Sequence, residues 1–372
     1  MTEQPVKLVA VGDIFLGEHP VTLGHGVATM ARRHGCQFLF EQVHQYLSGA
    51  DIVCGNLEGI ISPKKEGETG VQKEVFWGDP SCSQALQDAS FNCLFLANNH
   101  TAQHGKDALE RTCSILDEHK IQWTGYNPVD SSHPEPTNFY VQGSSVAMLA
   151  YCKTQQYHLD TPILPVIDFE TIKQDIDKAR TRADIVIISL HWGNEFIHYP
   201  SSDQIELAHA IIDAGANVIL GHHSHTMQGV EHYKHGLIAY SLGSFIKDLW
   251  PKKLRESVIL QCEVTPTGVR KVKLVPILLH KNTHRPELYQ GVAGEQYLAD
   301  VRKLTNKILD QAGQDKNILK KSYEQDVQRL LFMDRVSTFL HYLCNIHRFD
   351  KVLFCENVQL MITRRISKKK FD

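Results

Sequence analysis

The chain has 372 residues, of which 42% are hydrophobic and 22% charged, and a formal net charge of −3. That composition is globular and excludes a disordered or fibrous chain. So small a charge excludes a protein that coats nucleic acid, which needs a surplus of Lys and Arg to displace phosphate counterions. Met1–Lys7 has no apolar run, and no stretch approaches the roughly 20 apolar residues of a membrane-spanning helix. The expectation is a soluble, unexported, cytoplasmic protein with no transmembrane segment. Nine cysteines without a C-x-x-C pair read as reduced, buried thiols, which agrees with that compartment. The 21 histidines, several of them clustered, favour a metal site built from imidazoles and carboxylates.

Taken in chain order, apolar runs and three- and four-residue periodicity predict a strand at Lys7–Val11 and a helix over Phe38–Ser48. Strands follow at Ile52–Cys54 and Cys93–Leu96, then a helix over Lys106–His119 and a strand at Val146–Tyr151. A helix over Phe169–Arg182, a strand at Ile185–Leu190, a helix over Asp203–Ala214 and strands at Val218–Leu220 and Leu237–Tyr240 complete an α/β layered pattern. The Thr265-Pro266-Thr267-Gly268 turn joins Ser257–Val264 to Val269–Leu279 as a hairpin. Phe76-Trp77-Gly78 and Trp123 read as packing residues.

Near Pro286 the composition shifts: residues 276–372 carry 17 Lys plus Arg against 11 Asp plus Glu. The expected division is residues 1–285 as the α/β domain and 286–372 as a helical, basic C-terminal extension. Its stretches from Glu295 to Ala312 and Ile318 to Asn345 read as helices. Leu330, Leu331, Phe332, Val336, Phe339, Leu340 and Leu343 recur at helical spacing and are expected to dock the tail on the acidic body. The Arg364–Lys370 tip reads as a frayed, soluble terminus, with peripheral contact with anionic lipid as the alternative.

Polar clusters follow directly on the predicted strands: Gly12-Asp13, Asn56-Leu57-Glu58, Asn98-Asn99-His100, His191-Trp192-Gly193-Asn194-Glu195 and Gly221-His222-His223-Ser224-His225. In layered α/β folds the carboxyl ends of strands open onto the ligand crevice, so these clusters are expected to converge. Asp13, Glu58, Asn99, His191, His223 and His225 supply two carboxylates, an amide oxygen and three imidazoles. That mixture suits two divalent transition ions, Mn, Fe or Zn, about 3.5 to 4 Å apart, which activate a water and clamp the oxygens of a phosphoryl displacement. His100, beside Asn99, is then available as the catalytic proton donor. Asn56, Asn98, Glu195, His222 and Ser244 fall around this set as substrate-binding or supporting residues. No Gly-rich phosphate loop of the kinase or dinucleotide type is present.

These motifs, with Tyr240-Ser241-Leu242-Gly243, resemble in order and spacing the CapA family of bacterial capsule and poly-γ-glutamate synthesis proteins, over about residues 6–280. The resemblance implies the calcineurin-like metallophosphoesterase fold, a metallophosphatase-like sandwich of two mixed sheets flanked by helices. By the same match, Asp13 corresponds to the first metal aspartate, Glu58 stands near the bridging carboxylate, Asn99 with His100 matches the Asn-His pair, and His191, His223 and His225 match the later histidine ligands. The chain departs from the pattern at Phe15, where the superfamily has the His of Asp-x-His, at Gln103-His104-Gly105, where an Asp is usual, and at Ser244, where Asn is usual. The implied function is metal-dependent hydrolysis of a phosphate ester linked to envelope or capsule precursors, on a small-molecule or polymer-precursor substrate. The alternatives are a γ-glutamyl amide hydrolase or poly-γ-glutamate synthesis factor, and a non-catalytic accessory subunit of polymer assembly.

Overall fold

The computed structural model describes residues 4–64, 70, 75–129, 133–153, 163–310, 314–356 and 359. One sheet runs in the order β16 (Pro286–Leu288), β15 (Gly268–Leu279), β14 (Glu256–Thr265), β1 (Val6–Ile14), β2 (Ile52–Leu57), β5 (Cys93–Phe95) and β6 (Gln122–Thr124), with β13 (Ser244–Ile246) also paired to β1. The other runs β11 (Met227–Tyr233), β12 (Gly236–Leu242), β10 (Val218–His222), β9 (Ile185–His191), β8 (Ser144–Cys152) and β7 (Thr137–Val141). The short strands β3 (Ile60–Ile61) and β4 (Trp77–Gly78) pair with each other. Both larger sheets mix parallel and antiparallel neighbours.

Alternation of side chains explains the layering. In β8, Val146, Met148 and Ala150 face the core shared with the first sheet, while Ala147, Leu149 and Tyr151 face helices Phe169–Arg180 and Ser202–Asp213. In β9, Ile185 and Ile187 take the first direction and Val186, Ile188 and Leu190 the second. A strand buried on both faces reads as a continuous apolar run, which is why these were visible in the sequence. Helix Lys106–Glu118 covers the first sheet through Leu109, Cys113 and Leu116. The result is the two-sheet α/β sandwich anticipated above.

Most predicted strands run one to three residues further at their carboxyl ends, so that Asp13, Asn56, His191 and His222 lie within strands. The predicted helix over Phe38–Ser48 is instead a 3-10 segment, Cys36–Leu39, and a helical turn, His44–Leu47. Its start is tied down, because Cys36 forms a disulfide with Cys82 in helix Cys82–Asp88. This corrects the reading of nine reduced buried thiols: two are paired, and Cys344 and Cys355 are exposed. A pair 46 residues apart, without a short motif, gives no sequence signal. Cys36→Ser is expected to lower the unfolding free energy by about 2–4 kcal/mol through lost loop constraint, read from urea midpoints. An unchanged midpoint would mean the two cysteines are not bridged in solution.

After β16, helix Gly291–Leu309 packs Val301 into the main core, and Thr305 Oγ1 accepts from Val230 N at 3.1 Å. The long helix Lys316–Asn345 follows, and it docks by a face other than the expected one. Phe332 is 67% exposed, Phe339 63%, Leu340 53% and Leu343 55%, with Leu331 and Val336 also exposed and Leu330 half-buried. The docked face is polar and aromatic. Tyr199 Oη donates to Asp326 at 2.6 Å, Trp250 Nε1 to Ser337 Oγ at 2.9 Å, and Tyr342 Oη to Pro20 O at 3.1 Å. The helix meets the polar rim of a cavity, where hydrogen-bonding residues fit and an aliphatic stripe does not.

Phe349, just beyond the helix, is 6% exposed and packs with Phe15, Leu23 and Tyr342. Phe349→Ala is therefore expected to cost about 3 kcal/mol or more, whereas Leu340→Ala stays within about 0.5 kcal/mol. The reverse order in denaturation midpoints would return the tail to the docking face first expected. The Arg364–Lys370 tip lies outside the described residues. Among the described residues no helix is long and apolar enough to cross a membrane.

Candidate functional site

Strand register assembles the site. Asp13 on β1 stands opposite Asn56 on β2 and Ser244 on β13. In the other sheet, His222 on β10 stands opposite His191 on β9. Two glycines permit the close approach: a Cβ on Gly12 would lie 2.0 Å from Gly243 O, and one on Gly221 1.9 Å from Tyr240 O. After β10 the chain turns through His223 and His225, whose φ values of 88° and 56° are unusual for residues with a Cβ. Such conformations cost about 1–3 kcal/mol each and persist where the surroundings enforce them, commonly at functional sites.

The donor atoms converge. Asn99 Oδ1 and His223 Nδ1 lie 2.8 and 3.1 Å from the same atom, His191 Nε2. Asp13 Oδ2 accepts from the backbone N–H of His223 at 3.4 Å and lies 2.9 Å from His225 Nδ1. Asp13, Glu58 and His225 each bring one ligand atom to within 4.8 Å of the others. Glu58 Oε2 accepts from Lys247 Nζ at 2.7 Å, while among the described residues Oε1 is buried with no hydrogen-bond partner, with His100 Nε2 at 3.6 Å and His225 Nε2 at 3.7 Å beside it. Asn99 Oδ1, His191 Nε2 and His223 Nδ1, with the Asp13 carboxylate alongside, form a mixed oxygen and nitrogen donor set that fits a divalent ion.

Burial and neighbouring charge set the protonation states. Burial pushes His191 well below the usual imidazole value, helped by His223, and lowers His223 to about 4 with help from His225. Both are thus in the lone-pair form that ligates metals. Burial would raise the Asp13 carboxyl, but His222 and His225 outweigh it and hold it well below the carboxylate range. His100 is lowered by burial and by Lys247. Its Nδ1 lies 3.0 Å from Gln103 Oε1, and its ring stacks on Phe76 with centroids 3.6 Å apart.

The supporting residues divide into three roles. Asn56 Nδ2 donates to Asp13 Oδ1 at 2.8 Å and lies 3.4 Å from His191 Nδ1, bracing two candidate ligands. Asn98 accepts from the backbone N–H of His100 and Thr101 and donates to Leu57 O, fixing the loop that carries Asn99. Ser244 Oγ lies 3.4 Å from His225 Nδ1. His222 is wholly buried beside Phe95, with Nδ1 3.4 Å from Asp13 Oδ1, and stands behind the site instead of facing substrate. Glu195 is part of the cavity wall.

That cavity holds about 270 Å³ and opens onto Asn99, His100, His225 and Lys247. Phe76, Phe196 and Trp250 form apolar walls, and Asp334 and Thr338 of the long C-terminal helix close the rim. Asp248 fixes the loop below, accepting from His19 N at 2.9 Å and Val27 N at 2.6 Å, while burial raises its carboxyl to about 6. The sequence reading passed over Lys247, which follows Phe245-Ile246 and precedes Asp248 shortly after the last motif. Phe76 is the packing residue expected, buried with Phe15, Leu23 and Phe349, and it also stacks on His100.

The description "Bacterial capsule synthesis protein PGA_cap" belongs to a family whose sequence model matches residues 7–249, well over half of the chain. The chain belongs to this PGA_cap family. The capsule biosynthesis protein CapA of Bacillus anthracis is 28% identical over 293 residues, covering 76% of this chain and 70% of that protein. The PGA biosynthesis protein CapA of Bacillus subtilis is 27% identical over 301 residues, covering 80% and 77%. A solved structure of a putative 5'-nucleotidase from Staphylococcus aureus superposes with a TM-score of 0.47 at 13% identity, covering 80% of this chain and 58% of that one. The PGA_cap match ends at Leu249, so Trp250 and the helix that supplies Asp334 and Thr338 lie beyond it.

Proposed function

We propose that this PGA_cap protein is a metal-dependent hydrolase of a phosphate ester carried by a small-molecule or polymer precursor of the capsule or envelope. The observation behind this reading is the meeting of Asn99 Oδ1, His191 Nε2 and His223 Nδ1, with Asp13 alongside. Asp13, Asn99, His191 and His223 would hold a divalent ion, and their mixed nitrogen and oxygen donors suit Mn, Fe or Zn. Such an ion lowers the pKa of a bound water toward neutrality and polarises a phosphoryl oxygen.

The chain's own groups do the rest. An ammonium has three N–H donors; Glu58 and His225 take two from Lys247, leaving one for an anion in the cavity. His100, oriented by Gln103, exchanges the proton at the leaving oxygen. Phe76 and Trp250 keep bulk water from the reacting group. The volume admits a phosphoryl group and the first atoms beyond it, so a longer substrate extends past the rim of Asp334 and Thr338.

A panel of phosphomonoesters, phosphodiesters and γ-glutamyl peptides, offered to metal-loaded protein, tests the substrate class. Phosphate release with no amine release supports the proposal. Amine release alone transfers the same centre to amide hydrolysis, and turnover of nothing in the panel favours an accessory role in polymer assembly.

A further inference from the structure

The cation expected between Glu58 and His225 is already supplied by the protein. Lys247 Nζ lies 2.7 Å from Glu58 Oε2 and 2.9 Å from His225 Nε2, and the residue is only 4% exposed. Glu58 and His225 are two of the three residues that, with Asp13, cluster their ligand atoms. His225 has no nitrogen left over: Nδ1 lies 2.9 Å from Asp13 Oδ2, and Nε2 meets the ammonium. With Nδ1–H donating to Asp13 and Nε2 accepting from Lys247, both ring atoms are satisfied.

The surroundings suit an ammonium better than a metal ion. Phe15, fully buried, has its ring centroid 5.7 Å from Nζ, and Phe76 lies at 6.0 Å. Aromatic faces attract a cation through their quadrupole but offer no lone pair for a coordination bond. Among the described residues, the second cluster, Asn99, His191 and His223, has no lysine or arginine as a hydrogen-bond partner. A divalent ion there and an ammonium at Glu58 divide the positive charge between two positions.

We infer that the centre takes one divalent ion, not two, and that the ammonium of Lys247 stands in place of the second. This rests on the metal-binding reading above, and it replaces the expectation of a dinuclear site with a metal and lysine pair. Lys247 is then a positioning residue for Glu58 and His225 as well as a contact for an anion.

Metal-stripped full-length protein is titrated with Zn²⁺ or Mn²⁺, and bound metal is counted by calorimetry and by elemental analysis after gel filtration. Wild type and Lys247→Arg are expected to bind one ion per chain, and Lys247→Met, which removes the charge and keeps the length, two. Two ions in the wild type, or one in a folded Lys247→Met protein, overturns the inference and leaves the metal reading standing. No ion in the wild type overturns both. Should Lys247→Met fail to fold, Lys247→Gln replaces it, and the wild-type count still decides between one ion and two.

Discussion

Replacing His191 by alanine is expected to strip the centre of its divalent ion and bring hydrolysis down to the level of the metal-free protein. His191 Nε2 is the atom on which Asn99 Oδ1 and His223 Nδ1 converge, at 2.8 and 3.1 Å. Removing its ring takes away one donor and the packing that holds the other two. Outer partners of metal ligands cost about 10- to 100-fold in affinity when lost, so a ligand at the point of convergence costs more than about 100-fold. The fold should survive, because the β9 backbone stays paired with β8 and β10 on both sides. Metal content by elemental analysis and phosphate release by a colorimetric assay give the two readouts. A His191→Ala protein that keeps its metal would move the ion elsewhere.

His100→Ala is expected to separate the two readouts. The ring lines the cavity, with Nε2 3.3 Å from Asn99 Nδ2 and 3.6 Å from Glu58 Oε1. A group that moves a proton in the transition state contributes about 10²- to 10⁴-fold in rate without holding the ion, so kcat falls by that factor while metal content stays. Gln103→Ala should produce a smaller loss in kcat, because Gln103 only orients His100 through Nδ1. Loss of metal together with activity in His100→Ala would make His100 a ligand.

Much of this centre was legible because chemistry-bearing residues sit where strands end. Asp13, Asn99, His191 and His223 each follow an apolar run too short for a helix, and strand topology brings such ends together. Lys247 was not legible, since a Lys-Asp pair after a short apolar stretch reads as a surface position until its two partners are seen in space. The tail shows a different limit. Periodicity marks the apolar stripe from Phe332 to Leu343, but it does not say which face of the helix is docked. That was decided by the polar rim the helix meets, through Asp326, Ser337 and Tyr342. The Cys36–Cys82 bond and the close approach at Gly12 depend on partners more than 40 residues away, which no local pattern encodes.

The most direct test is a diffraction experiment on zinc-loaded crystals, with anomalous data collected on either side of the zinc edge. A single peak is expected within about 2.0–2.2 Å of Asn99 Oδ1, His191 Nε2 and His223 Nδ1, with Lys247 still on Glu58. A map without a peak at these three atoms would contradict the metal centre and the hydrolytic function built on it.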